Sequence, residues 1–268
     1  MQAIEQLVLR LRHHPLLRRA DWLWDSLRPT YDRVTARLSQ HGLSRCINGT
    51  DPVRLLPRFR QMGEQYEPEV WAAMMGVLRP GDVVADVGAF IGLYTLAIAQ
   101  RVGANGRVVA FEPNPESHGL LRSHVELNRL ADRVELHQLA VGSEEGMVAL
   151  AVDRATMAAI TQQADSSTVS VRCVRLDAVW GDRPLDVLKI DVEGYEEQVL
   201  RGAARLLSRQ ERPRVIFIEV HPYAWEASGT SSESLLLLLV DHGYRVTLLD
   251  GSPVSGIDFY GEIVAHAG

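Results

Sequence analysis

The feature that most constrains this chain is an apolar strand that runs into a glycine turn. Residues Asp82-Val83-Val84-Ala85-Asp86-Val87 lead into Gly88-Ala89-Phe90-Ile91-Gly92, and a helical stretch begins at once with Leu93-Tyr94-Thr95-Leu96. Glycine lets the main chain turn sharply out of a strand and lets backbone N–H groups come close to a ligand at a helix start. A strand, a glycine turn and a helix in that order belong to an α/β fold with a parallel sheet.

The rest of the chain keeps that rhythm. Apolar runs predict strands over 82–86, 107–112, 133–141, 186–191, 214–221, 244–249 and 259–265. Amphipathic stretches predict helices over 92–101, 115–128, 196–207 and 231–242. The alternation implies a mostly parallel sheet with helices on both faces. One region breaks it: 147–152 and 168–176 read as strands with no helix between them, which predicts an inserted β-hairpin with a long polar tip over 153–167. Long loops inside compact domains often cover binding sites. Residues 1 to about 40 read as a helical extension in which leucines and tryptophans alternate with arginines. Glu5, Asp21, Asp25 and Asp32 dilute its positive charge, which favours a solvated basic face over an amphipathic helix that touches a membrane. The chain therefore reads as an extension over 1–47 and one domain over 48–268.

Composition removes several classes of function. The net charge of −6 offers no basic face for a phosphate backbone, so no nucleic-acid partner is expected. Cys46 and Cys173 are far apart and match no zinc spacing, redox pair or disulfide framework. That usage fits reduced cysteines in a cytoplasmic protein. Arg10, Arg12, Arg18 and Arg19 interrupt any signal-peptide core, and the apolar run over 235–240 is too short to span a bilayer.

The ligand of the turn follows from what is missing. A dinucleotide fingerprint needs a third glycine, G-x-G-x-x-G, and only Gly88 and Gly92 are present. Glu112 ends the next strand about twenty residues on, where Rossmann-type folds place the acid that receives ribose hydroxyls. S-adenosylmethionine carries an adenosine but no pyrophosphate. It is the expected cofactor, with Asp86, Gly88, Ala89, Phe90, Gly92 and Glu112 as its contacts. Ala140, in the small turn Leu139-Ala140-Val141-Gly142, reads equally as an adenine flank or as strand-end packing.

A second cluster lies at other strand ends. Lys189-Ile190-Asp191-Val192-Glu193 carries three charges at period two, so Lys189 and Asp191 share a face. Lys189 is the only lysine in the chain, and unlike arginine a buried lysine can give up its proton. Glu219 and His221 share a face of the following strand. Three roles stay open. Lys189, Asp191 or His221 acts as general base; Asp191, Glu219 and Glu193 hold a divalent cation such as Mg; or Lys189 and Asp191 form a structural ion pair, with Glu219 and His221 bonded locally.

These residues carry a resemblance. Tyr66-Glu67-Pro68-Glu69-Val70, Asp86-Val87-Gly88-Ala89, Phe111-Glu112-Pro113, Arg175-Leu176-Asp177, the string from Lys189 to Glu196 and Ile218-Glu219-Val220-His221 together resemble the FkbM-type methyltransferases. The resemblance implies a class I methyltransferase fold with seven strands, the last of them antiparallel. It implies O-methylation of a hydroxyl on a sugar, glycolipid or natural product. The family usually has asparagine where this chain has Phe90, which alters the contact expected at that point of the turn. Two other classes stay open: a nicotinamide-dependent oxidoreductase, against which the missing third glycine argues, and a methyltransferase-like binding protein without catalysis. Homo-oligomerisation and peripheral membrane contact through the N-terminus also stay open.

Overall fold

The computed structural model describes residues 42–59, 64–152, 158–161 and 168–268. The helix expected over residues 1–40 lies outside them. The chain forms two compact units that divide after Glu64.

In the first unit, β1 (Leu43–Ile47) and β2 (Asp51–Leu55) pair antiparallel. Asn48 and Gly49 both take positive φ, the conformation an Asn-Gly turn tolerates, and the Thr50 N–H closes on the Ile47 carbonyl at 3.0 Å. Residues 43–47, which the sequence assigns to the end of a helical extension, are thus a strand.

The second unit opens with α1 (Pro68–Val77). Its Pro68 presets the first turn, and Trp71, Met74 and Met75 form its buried stripe. There follow β3 (Val83–Val87), α2 (Leu93–Val102), β4 (Arg107–Phe111), α3 (Pro115–Leu127), β5 (Val134–His137), β6 (Ala140–Val141), β7 (Gly146–Val152), β8 (Ala158–Thr161) and β9 (Thr168–Val174). The chain continues through α4 (Leu176–Trp180), β10 (Val187–Ile190), α5 (Glu196–Gly202), α6 (Ala204–Leu207), β11 (Val215–Val220), α7 (Trp225–Ser228), α8 (Ser232–Asp241), β12 (Tyr244–Thr247) and β13 (Gly261–Ala267).

The main sheet has seven strands in the order β12-β13-β11-β10-β3-β4-β5. All neighbours pair parallel except β13, which is antiparallel to both β11 and β12. The chain winds outward from β3 to β5 and outward again from β10 to β11 in the opposite direction. Right-handed crossovers therefore put α2 and α3 on one face and α5, α6 and α8 on the other. They also make the β3–β10 boundary the switch point where open α/β sheets bind ligands. Strands buried on both faces need continuous apolar runs, and Leu188, Ile190, Ile216, Ile218, Phe111 and Val87 form the core between the layers. At the opposite end, the Arg214 guanidinium reaches both oxygens of buried Asp82, at 3.0 and 2.5 Å. This bidentate pair ties the start of β11 to the start of β3.

Three elements differ from the sequence reading. The strand expected over 133–141 is two strands in different sheets, because β6 leaves the main sheet to pair with β9. The helix expected over 196–207 breaks at Ala203, whose φ of −106° departs from helical geometry, into α5 and α6. The inserted hairpin is part of a four-stranded sheet, β6-β9-β7-β8. Residues 158–161, read as loop, pair with β7 as its edge strand; four residues among polar neighbours show too little periodicity to reveal it.

Candidate active site

The glycine turn sits at the carboxyl end of β3, at the switch point. Asp86 is completely buried, and its Oδ2 accepts the Thr95 hydroxyl at 2.6 Å. Its Oδ1 is buried without a hydrogen-bond partner among the described residues. Burial raises the carboxyl above its ordinary range, partly offset by Lys189. Gly88 holds φ at +89°, and a Cβ there would lie 1.7 Å from the Asp191 carbonyl oxygen. Only glycine lets the ends of β3 and β10 meet this closely. The N–H groups of Gly88 and Ala89 both donate to the Phe111 carbonyl, at 2.9 and 3.0 Å. Phe90 takes a left-handed φ of 50°, and Gly92 caps α2 at φ 92°.

Glu112 clamps the turn. One carboxylate oxygen accepts the Phe90 N–H and the other accepts the Asn114 N–H, each at 2.8 Å. Each oxygen keeps a second lone pair for a hydroxyl. Burial pushes its carboxyl up to about 7 against those two hydrogen bonds. His124, buried on α3, bonds the Ile91 carbonyl at 2.8 Å through Nδ1, which must therefore carry the proton. The turn thus offers an unpartnered buried acceptor on Asp86 and spare acceptors on Glu112. These groups fit an amino group and ribose hydroxyls. Ala140 stands apart: its side chain packs with Leu150, Val171 and Cys173 in the core of the second sheet, which is the strand-end alternative.

The polar cluster assembles beside the turn. Lys189 lies in register between Asp86 on β3 and Phe217 on β11, 3% exposed. Its ammonium donates to Asp191 Oδ2 at 2.9 Å and rests 4.6 Å above the Tyr94 ring. Burial alone would pull its pKa down, but Asp191, Asp86 and Glu262 outweigh burial and raise it. The Lys189–Asp191 ion pair that the sequence offered as one alternative is present. Tyr94 is held in turn by its hydroxyl, which donates to Glu67 at 2.8 Å.

Glu219 and Glu262 face each other across the antiparallel β11–β13 pair. Burial, with the Asp191 charge, pushes Glu219 up to about 7, and its oxygen accepts the Tyr260 hydroxyl. His221 is buried, with Nδ1 2.7 Å from Glu196 Oε1 and Nε2 3.5 Å from Glu193 Oε2. Glu196 also accepts the Gly194 N–H at 2.9 Å and the Trp225 indole N–H at 2.8 Å. Burial lowers the His221 pKa, but the Glu196 hydrogen bond and the surrounding carboxylates outweigh it and raise it. Asp191, Glu219 and His221 each bring one ligand atom into a group no wider than 4.8 Å. Glu193, expected in such a set, lies 3.5 Å from His221 Nε2 and accepts the Tyr223 hydroxyl at 2.9 Å.

Glu196, Glu262, Tyr94, Tyr223 and Tyr260 were missed as site residues in the sequence. Glu196 stands in the Lys189 to Glu196 string and could have been found there. The other four come from α2, β13 and two loops that only the fold brings together.

The model of the methyltransferase FkbM domain matches residues 86–246. The AMB antimetabolite synthetase AmbE of Pseudomonas aeruginosa is 30% identical over 239 residues, which covers 74% of this chain but 11% of that protein. The 31-O-demethyl-FK506 methyltransferase FkbM of Streptomyces tacrolimicus is 31% identical over 205 residues, covering 63% of this chain and 75% of that one. Among solved structures, the methyltransferase FkbM from Methylobacillus flagellatus KT aligns with a TM-score of 0.47 at 19% identity, over 71% of this chain and 45% of that one. The seven-stranded order with β13 reversed is the class I methyltransferase sheet. No helix among the described residues is long and apolar enough to cross a membrane. With the domain matched over more than half of its length, this chain belongs to the FkbM methyltransferase family.

Proposed function

We propose that the chain transfers the methyl group of S-adenosylmethionine to a hydroxyl oxygen of a small-molecule acceptor, a sugar, glycolipid or natural product. Bound S-adenosylmethionine supplies a methyl group on a sulfonium leaving group. The observation that carries the reading is the Asp191–Glu219–His221 group, which adjoins the turn where Gly88 meets Asp191. A hydroxyl becomes a competent nucleophile as it loses its proton, and two carboxylates and an imidazole at one point favour that loss.

The residues divide the work. Asp86 and Glu112 hold the cofactor through an acceptor and ribose contacts. Lys189 is a positioning residue that orients Asp191 through their 2.9 Å ion pair. Glu196 holds the imidazole of His221 in place, 2.7 Å from its Nδ1. Asp191, Glu219 and His221 receive the acceptor hydroxyl. Holding nucleophile and methyl in line is worth several kcal/mol, since little covalent chemistry is asked of the protein.

The test measures S-adenosylhomocysteine formed with panels of hydroxylated sugars, glycolipids and macrocycles. Asp191→Asn and Glu219→Gln should lower kcat by about 10²–10⁴-fold, the usual worth of a proton-transfer group, with S-adenosylmethionine affinity little changed. Glu219→Gln guards against misfolding, because Asp191→Asn leaves buried Lys189 without its partner. Turnover near the wild-type rate in a variant that binds the cofactor normally would sink the assignment.

A further inference from the structure

We propose that Asp191, Glu219 and His221 form a binding site for one divalent metal ion. Each supplies one ligand atom, and the three atoms lie within 4.8 Å of one another. Two hard carboxylates and one imidazole make a mixed donor set that suits Mn²⁺ or Zn²⁺ rather than Ca²⁺, which prefers oxygen alone.

The surroundings are those of a held ligand set. The Nδ1 of His221 bonds to Glu196 at 2.7 Å, so Nε2, 3.5 Å from the Glu193 carboxylate, is the nitrogen left for a ligand. A carboxylate behind a histidine fixes its tautomer and orientation in metal sites. The Glu196 oxygens are themselves held by the Gly194 N–H and the Trp225 indole, so the imidazole has one orientation. The Tyr260 hydroxyl holds Glu219, and the Lys189 ammonium holds Asp191.

A separate observation points to a missing cation. Glu262 is 9% exposed, and its Oε1 has no hydrogen-bond partner among the described residues. It lies opposite Glu219 in the β11–β13 register, so the two side chains stand on the same face of the sheet. A buried carboxylate without a partner is costly unless it takes up a proton or a cation or donor arrives. Lys189 is already committed to Asp191, and Asp86 adds a further buried acid. One divalent ion at Asp191, Glu219 and His221 supplies the charge that this group of acids lacks.

The binding claim is independent of the methyl-transfer reading; only the use of the ion rests on it. A bound ion takes the acceptor oxygen as a further ligand and lowers the pKa of its hydroxyl. The experiment titrates chelator-stripped protein with Mn²⁺ alone, followed by calorimetry and by loss of the free Mn²⁺ paramagnetic signal, with Zn²⁺, Mg²⁺ and Ca²⁺ as comparisons. One Mn²⁺ per chain should bind. Glu219→Gln and His221→Gln should each weaken it by more than about tenfold, given what supporting residues alone contribute to metal affinity. Thermal melts confirm that each variant is folded, and S-adenosylmethionine is titrated into the same samples. Absence of Mn²⁺ binding, binding unmoved by both substitutions, or binding of methylammonium in place of Mn²⁺ overturns the proposal. If the cofactor binds and Mn²⁺ does not, the metal site fails and the methyl-transfer reading stands. If Mn²⁺ binds and the cofactor does not, the reverse holds.

Discussion

At the scale of residues, the glycine turn carries its own strain. Phe90 holds φ at 50°, a conformation that costs an ordinary L-residue about 1 kcal/mol and asparagine less. Its N–H bond to Glu112 does not depend on the ring. Phe90→Asn should therefore raise unfolding stability by roughly 0.5–1 kcal/mol in urea denaturation. A loss of similar size would mean that the ring's packing outweighs the strain. Glu112 gives a pH signature. Burial lifts it from 4.5 to about 7, and its ionised form is the one that accepts hydroxyls. S-adenosylmethionine should bind more weakly as pH falls below about 7, by up to tenfold per unit, with proton release on binding in that range and none well above it. Calorimetry in buffers of different ionisation enthalpy reads that release; its absence would show that Glu112 is ionised before the ligand arrives. For folding the sign is opposite. Between 4.5 and about 7 the folded chain holds a proton that the unfolded chain has lost, so Glu112 makes stability fall as pH rises through that window.

At the scale of elements, some family motifs turn out to build rather than to react. Asp177 of the Arg175-Leu176-Asp177 string sits at the start of α4, where its two oxygens accept the Arg205 and Leu206 N–H groups, both at 2.9 Å. It caps α6 from a distance, supplying the acceptors that Ala203 cannot. Asp177→Ala should lower stability by about 1–2 kcal/mol in denaturant melts and leave cofactor affinity unchanged; a change in that affinity would assign Asp177 to the site. The same distinction explains what the sequence made legible. Strands β3, β4, β10 and β11 were readable because strands buried on both faces leave unbroken apolar runs. Alternation placed Lys189 with Asp191 and Glu219 with His221, and those pairs do meet. Glu262 was hidden because its importance depends on β13 running back against β11, which no local pattern states. Two of the acids around Lys189, Asp86 and Glu262, are far away in sequence, so no local pattern shows them beside it. Four-residue β8 and the break at Ala203 fall below the length at which periodicity can be read.

At the scale of the whole molecule, the two directions of winding part between β3 and β10, and the residues of both candidate sites gather at the carboxyl ends of these strands and their neighbours β4 and β11. Burial of charge at this point weakens the empty protein, so ligands should strengthen it by mass action. S-adenosylmethionine at about a hundred times its Kd should stabilise the fold by roughly 2.7 kcal/mol, which for a unit of this size raises Tm by about 5–10 °C. NAD should leave Tm unchanged; a shift with NAD alone would restore the oxidoreductase reading. The second sheet bears on a different question. β6 and β9 lie side by side, with Ala140 opposite Cys173 and Val141 opposite Val174, so the chain returns to the place it left. Among the described residues, all strand pairing of β7 and β8 is with each other and with β9, none of it with the main sheet. An excursion with its two ends stapled together behaves as a cassette. Insertion, deletion or exchange of its outer strands leaves the ends at the same spacing, so such a change is absorbed within the cassette and the seven-stranded frame keeps its register.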